Sequence, residues 1–390
     1  MTRPRVAVIA TTYFPHSHAD VIATRLIKGY PWQGADIEPR VEVVSFYLEQ
    51  EDARDMGVAL LDEYKVPRYP TVAEAITRGG TGVNVDAVVV IGEHGEFEYN
   101  EFEQKLYPRR RLIDAAISTM IGAGRTVPIF SDKHFSWSFS DAQAIYETTK
   151  RLNIPFLAGS TIPLAWRIPT ATEWPRGEPM TELVLAGYGP TEIYGFHILE
   201  GVQVHAERRA GGETGVVAVT GLTGEAATKA ISDGTVSLEL LDEALGTFDL
   251  APEDRERAKQ SVKDVFLVEY ADGLKVAAVN CDDVIANFGA AAKGPNQEMA
   301  CQIWLQGYPH SHFIFLVRQI ESMILNGVAP YPVERTYLTT GILDAAMRSR
   351  KDDGARRETP ELAISYQPAV HIPDTGVSES LPNPAIGPEV

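Results

Sequence analysis

The sequence predicts an α/β protein in two parts: an N-terminal doubly wound parallel sheet, and a C-terminal α+β domain with a largely antiparallel open sheet. Three observations predict it. Five continuous, β-branched apolar runs alternate with amphipathic stretches over the first 160 residues, the texture of strands covered on both faces. Beyond residue 164 that alternation stops, and Asp272-Gly273 joins two strand runs as a hairpin. The third is length, since 390 residues exceed what one hydrophobic core usually supports.

The five runs are VAVIA (6–10), VEVVSFY (41–47), DAVVVIG (86–92), VPIFS (127–131) and IPFLAGS (154–160). Helices are predicted between them, notably over 101–124 and over 138–153, the latter opened by Ser138 as a cap. Right-handed crossovers then place the loops after the strands along one edge, where such sheets bind ligands. In the second part, 265–280 reads as the hairpin, and 312–327 and 332–350 read as helices. The predicted boundaries are 1–163, 164–370, and an extended or disordered proline-rich tail at 371–390.

With 35 basic against 53 acidic side chains the formal charge is -18, which repels phosphate backbones and anionic lipid. Neither nucleic acid nor membrane is an expected partner. Two cysteines without metal-ligand spacing, Cys281 and Cys301, argue for a reducing compartment. No apolar run reaches the length of a membrane span and no cleavage site precedes the first strand, so a cytoplasmic protein is expected.

A dinucleotide-binding turn needs glycines close to the diphosphate and an acid at the end of strand 2. Here the turn reads TTYFPHSHAD and strand 2 ends in Ser45-Phe46-Tyr47. The reading therefore sets NAD(P) aside. The same edge offers histidines instead: His16 and His18 after the first strand, His94 beside Glu93 after the third, and His134 after the fourth. Imidazoles and a carboxylate leaving one position open can hold catalytic Zn²⁺, with Mn²⁺ or Fe²⁺ as alternatives. The plainer reading is that each histidine only caps a loop. Lys133, between Asp132 and His134, is the candidate acid/base group or anchor for a substrate oxygen. Asn100, Glu101, Tyr107 and Arg109 follow the His94 loop as candidate substrate contacts, and Trp166 as a pocket wall.

The segment VPIFSDKHFSWSFSDAQAIYETTKRLNIPFLAG resembles the Glu-Lys-Pro region of the glucose-fructose oxidoreductase, inositol dehydrogenase and MocA-like (Gfo/Idh/MocA) family. Lys133 then falls on the family lysine, Asp132 on its glutamate and His134 on its proline. GYGPTEIYGFHILEG is similar to the family's Asp-x-Gly-x-His-x-x-Asp signature, with Gly195, His197 and Glu200 matching and Ile193 in place of the first aspartate. The C-terminal helices are similar as well. The resemblance implies a Rossmann-like domain, a second domain whose sheet faces a cleft or an oligomer interface, and sugar, cyclitol or sugar-acid substrates.

With the cofactor turn replaced, the resulting expectation is a metal-dependent lyase, hydrolase or isomerase. It acts on a small polyhydroxylated substrate, with Lys133, His197 and Asp132 as catalytic groups in a homo-oligomer. The alternatives are an NAD(P)-dependent oxidoreductase with an atypical turn, and a non-catalytic binding member of that family.

Overall fold

The computed structural model describes residues 2–382 in two compact units. The first comprises Met1–Glu98, Leu106–Gly159 and Phe313–Val333; the second comprises Tyr99–Lys105, Ser160–His312 and Glu334–Val390.

In the first unit β1 (Arg5–Ala10) leads into α1 (His18–Lys28), then a small hairpin of β2 (Tyr30–Trp32) and β3 (Ala35–Ile37). There follow β4 (Glu42–Leu48), α2 (Gly57–Glu63), α3 (Val72–Thr77), β5 (Ala87–Ile91), α4 (Arg109–Gly122), β6 (Ile129–Asp132), α5 (Phe139–Arg151) and β7 (Phe156–Gly159). The sheet runs β4-β1-β5-β6-β7 with every pair parallel, the doubly wound arrangement expected. The order reverses at β1, so the switch point lies between β1 and β5. Continuous burial of Val6–Ala10 and Ala87–Ile91 explains the unbroken apolar runs.

Local chemistry sets the boundaries. Ser17 caps α1 by accepting the Asp20 N–H, and Gly29 ends the helix at φ 86. The predicted helix over 101–124 starts only at Arg109. Asn100 Oδ1 accepts the N–H groups of Phe102 and Gln104, closing a turn there, and Pro108 occupies the N-cap position. Ser138 holds the N-cap position of α5, but its hydroxyl pairs with Ser140 instead of capping.

The second unit holds β8 (Trp166–Ile168), β9 (Glu182–Gly187), α6 (Thr191–Ala206), β10 (Val216–Thr223), α7 (Glu225–Ser232), α8 (Leu238–Gly246), α9 (Pro252–Gln260), β11 (Asp264–Tyr270), β12 (Lys275–Asn280), β13 (Phe288–Lys293) and β14 (Glu298–Trp304). After α10 (Phe313–Asn326), which belongs to the first unit, α11 (Glu334–Lys351) and β15 (Arg357–Glu358) complete it. The sheet order is β15-β10-β11-β12-β9-β13-β14-β8, antiparallel except at β9–β12. The predicted hairpin is β11–β12, turning at Gly273 with φ 92.

Period-2 alternation assigns the faces of this sheet. Leu185 and Ile303 meet α6 at Gly201, where a Cβ would lie 2.6 Å from Leu185. Val184 and Ala186 point the other way, into a core with Leu240, Leu241, Ala244 and Leu245 of α8, Ala227 of α7 and Ala258 of α9. Helices of the same chain therefore cover both faces.

Residues 371–382 run along the second unit, with Gly376 N–H on Leu164 O at 2.8 Å and Ala171 N–H on Val377 O at 2.7 Å; 383–390 of the predicted tail lie outside the described residues. Among the described residues no helix is long and apolar enough to cross a membrane.

The division differs from the sequence boundaries at α10, which 164–370 would give to the second part. The reason is Glu321, fully buried, which accepts the Tyr30 hydroxyl at 2.6 Å, Arg40 N–H at 2.8 Å and Arg40 Nε at 2.9 Å. Removing the carboxylate strands buried donors, so Glu321→Ala is expected to cost the first unit about 2–4 kcal/mol. Urea unfolding followed by the fluorescence of Trp32, which packs edge-on against Phe315, measures it; an unchanged midpoint would refute the assignment.

Candidate functional site

The C-terminal edge of the first sheet is built around Glu93, which follows β5. Thr11, just past β1, donates its hydroxyl to Glu93 O at 2.7 Å, linking the two strands at the switch point. The Glu93 carboxylate is 2 % exposed and ion-pairs with both Arg109 and Lys133, the latter at 3.1 Å. Burial alone pushes its pKa up, but the two cations prevail and hold it well below the usual carboxylate range. Lys133 takes a positive φ of 62 at the tip of β6, and its N–H bonds Gly159 O at 3.1 Å. Such a backbone state is costly for a non-glycine residue. His94 and His16 take it too, at φ 68 and 67.

The predicted metal ligands do not converge. His18 Nδ1 donates to Asp132 Oδ2 at 2.7 Å, and the Asp132 side chain is fully buried. His134 Nε2 lies 3.2 Å from Arg109 Nη1; a guanidinium only donates, so the imidazole lone pair is already engaged. His94 packs edge-on against His18 at a centroid distance of 5.4 Å and against Phe14 at 5.3 Å. Burial holds it neutral, lowering its pKa to about 4. His16 is exposed, its N–H bonded to Asp20 at 2.9 Å. Among the described residues no group of three His, Cys, Asp or Glu side chains can hold a metal ion. The metal-dependent reading built on His18, His94, His134, Glu93 and His16 is thereby corrected: His18 and His134 are engaged with Asp132 and Arg109, Glu93 with two cations, and His16 is exposed, so no three of them share an ion.

Of the predicted substrate contacts, Tyr107 and the fully buried Arg109 belong to the first unit, with the guanidinium 4.9 Å from the Tyr107 ring. Asn100, Glu101 and Trp166 belong to the second. Asn100 shapes its own turn, Glu101 is exposed, and Trp166 packs edge-on against Trp304 at 5.5 Å. The second unit also contains a separate cluster. Glu200 accepts Ser160 N–H at 2.7 Å and lies 3.0 Å from His197 Nδ1, and Ser160 Oγ lies 3.2 Å from the same nitrogen.

Sequence reading missed Glu49. Strand β4 extends one residue beyond Tyr47, and the acid follows at once, its N–H on Ala10 O. Arg111 pairs with one oxygen at 2.6 Å, while Oε2 is buried without a hydrogen-bond partner. Thr12 Oγ1, His94 Nε2 and Asp132 Oδ1 are likewise buried and unpartnered, so four neighbouring strands each end in one such atom. Native proteins seldom leave such atoms unpaired without a reason. A nicotinamide nucleotide fits this donor set at its ribose, where a strand-end carboxylate is required, and at Lys133. Its diphosphate does not find a glycine turn: the N–H groups of Phe14, His16, Ser17 and Asp20 are all bonded within the turn.

A histidine buried neutral binds its proton more weakly folded than unfolded. Its contribution is thus complete above the unfolded pKa of about 6.5 and is lost as pH falls toward 4. We expect wild-type stability to fall by about 3 kcal/mol more than that of His94→Asn across this window, measured by urea unfolding at stepped pH. Equal losses would contradict the burial of a neutral ring. Chelator dialysis is expected to leave the melting temperature unchanged.

No family model matches the chain, and no curated protein sequence matches it. Solved structures do. GenD2 from gentamicin A biosynthesis, in complex with NAD, shares 16% identity over 92% of this chain and 97% of its own, with TM-score 0.57. A probable dehydrogenase from Thermotoga maritima shares 13% over 92% and 99%, TM-score 0.55. Myo-inositol 2-dehydrogenase from Lactobacillus plantarum shares 13% over 92% and 99%, TM-score 0.54. The expectation that set NAD(P) aside is overturned, because proteins of this architecture include dehydrogenases and one carries NAD. The likeness is one of fold: the chain shares the two-part architecture of these dehydrogenases.

Proposed function

We propose that this chain is an NAD(P)-dependent oxidoreductase acting on a hydroxyl or carbonyl of a small polyhydroxylated molecule of the sugar, cyclitol or sugar-acid class. The observation that carries the reading is Lys133, an ammonium buried against Glu93 at the tip of a central strand, on the edge where doubly wound sheets bind ligands. The substrate class rests on neighbours that include inositol dehydrogenases and a UDP-N-acetylglucosamine 3-dehydrogenase.

The nicotinamide, when bound, takes or gives the hydride. The chain's own groups manage the oxygen and its proton. Lys133 Nζ, ion-paired with Glu93, holds the substrate oxygen and exchanges its proton, giving it in the reducing direction and taking it back in the oxidising one. Asp132 fixes the His18 tautomer by accepting its Nδ1 proton, leaving Nε2 to accept a hydrogen bond from the substrate and orient it. Glu49 accepts hydrogen bonds from ribose hydroxyls, which favours NAD over NADP because a 2′-phosphate would face a carboxylate. His197, held by Glu200, is a second acid/base candidate in the other unit.

Titration of NADH and NADPH against the purified chain, read by nicotinamide fluorescence, tests the cofactor. We expect NADH to bind more tightly and Glu49→Ala to erase the preference; no binding of either at millimolar concentration would sink the proposal. With a panel of polyols, Lys133→Met is expected to lower kcat about 10²–10⁴-fold.

A further inference from the structure

The second unit has a cavity that the reaction does not use. It encloses about 130 Å³ beside the C-terminal end of α6, with residues 370–378 as one wall. Its ionisable lining is Arg176, Arg208, Arg335 and His371 against Glu173 and Glu207. Two guanidiniums are neutralised locally: Arg335 lies against Glu207 through Nε at 2.9 Å and Nη2 at 2.5 Å, and Arg208 lies 2.9 Å from Glu173. Arg176 is exposed and donates to the carbonyl of Ala369, on the C-terminal segment itself.

A fourth guanidinium, Arg167, reaches the wall of the cavity through the carbonyl of Pro163. It is completely buried, and its partners are the carbonyls of Ala165, Trp166 and Pro163, the last a lining residue; Nε has no partner. No carboxylate pairs with it among the described residues. A buried cation left with carbonyl dipoles alone is costly. The strain extends to neighbours: burial first, then Arg167 and Arg208, drives the pKa of His205 well down. Four guanidiniums against two carboxylates form a local positive excess in a chain of formal charge -18.

We propose that this cavity binds a phosphate dianion, free or as a phosphomonoester, which balances the excess charge and pins residues 369–378 against α6. Guanidiniums suit the task because their planar forks match phosphate oxygens. Arg176, joining anion and segment, is the residue through which binding reaches the strap.

The test is calorimetry and thermal unfolding of the full chain with inorganic phosphate and, separately, glycerol phosphate, against chloride at matched ionic strength. A saturable rise in melting temperature with phosphate but not chloride is expected, with slower hydrogen exchange over 369–378. Arg176→Ala, at an exposed position, should fold normally and bind about tenfold more weakly. Tighter binding of glycerol phosphate would identify a phosphorylated metabolite as the ligand; equal or weaker binding would identify the free anion. The proposal is overturned by the absence of a saturable response, or by an Arg176→Ala variant that responds as the wild type does.

Discussion

The edge of the first sheet depends on one buried carboxylate. Glu93 sits where β5 ends, takes Thr11 from β1 on its carbonyl, and holds Arg109 of α4 and Lys133 of β6 on its side chain. Three elements are thus tied at the switch point by a group that alone in that environment would be protonated. The two cations outweigh that burial and hold its pKa down, so deleting Glu93 would leave two buried cations without their shared partner. The same constraint explains the left-handed backbone at Lys133. An unfavourable φ at a strand tip persists only where the surroundings over-determine it, and here an ion pair on one side and the Gly159 carbonyl on the other do so.

Much of the fold was legible because burial writes itself into sequence. Runs such as 86–92 and 127–131 are apolar throughout because helices cover both faces of the sheet, and the Asp272-Gly273 turn carries its own left-handed requirement. The loop positions of the edge histidines were legible too. Their chemistry was not, because it turns on partners far along the chain. His18 meets Asp132 across 114 residues, and whether His134 keeps a free lone pair is decided by Arg109, which reads as a surface-helix arginine until its burial is known. Glu49 was missed for a smaller reason: strand ends are uncertain by a residue or two, and here that margin contained the one acid that mattered. Sequence adjacency cannot announce a chain that returns, as α10 does to meet Tyr30 and Arg40 through Glu321.

In the second unit, helices of the same chain pack on both faces of the sheet. Residues α7 to α9 place Leu240, Leu241, Ala244 and Leu245 on Val184, Ala186, Val279 and Ala291, and Gly289 makes the approach possible, since a Cβ there would lie 2.4 Å from Ala244 O. A sheet covered in this way gains its burial within one chain.

The glycine-free turn after β1 is a packing solution and not a gap. Tyr13 is buried within it, stacked on Phe46 at 5.7 Å and bonded through its hydroxyl to Thr24, while its carbonyl accepts Met56 N–H at 2.9 Å. The room for its ring comes from Gly57, where a Cβ would lie 2.5 Å away. The glycine that a diphosphate-binding turn keeps for close approach of a ligand thus appears on the opposing helix, where it admits an aromatic ring instead. Ser17 and Asp20 then bond the turn's own amides, and the Asp20 carboxylate stands beside them. A dinucleotide held at this edge gains little from amide donors at its diphosphate and depends correspondingly on the ribose contact at Glu49 and on the charge of Lys133. Binding of that kind ranks nucleotides by the ribose substituent that meets a buried carboxylate, and the phosphate bridge becomes a spacer between two recognised ends.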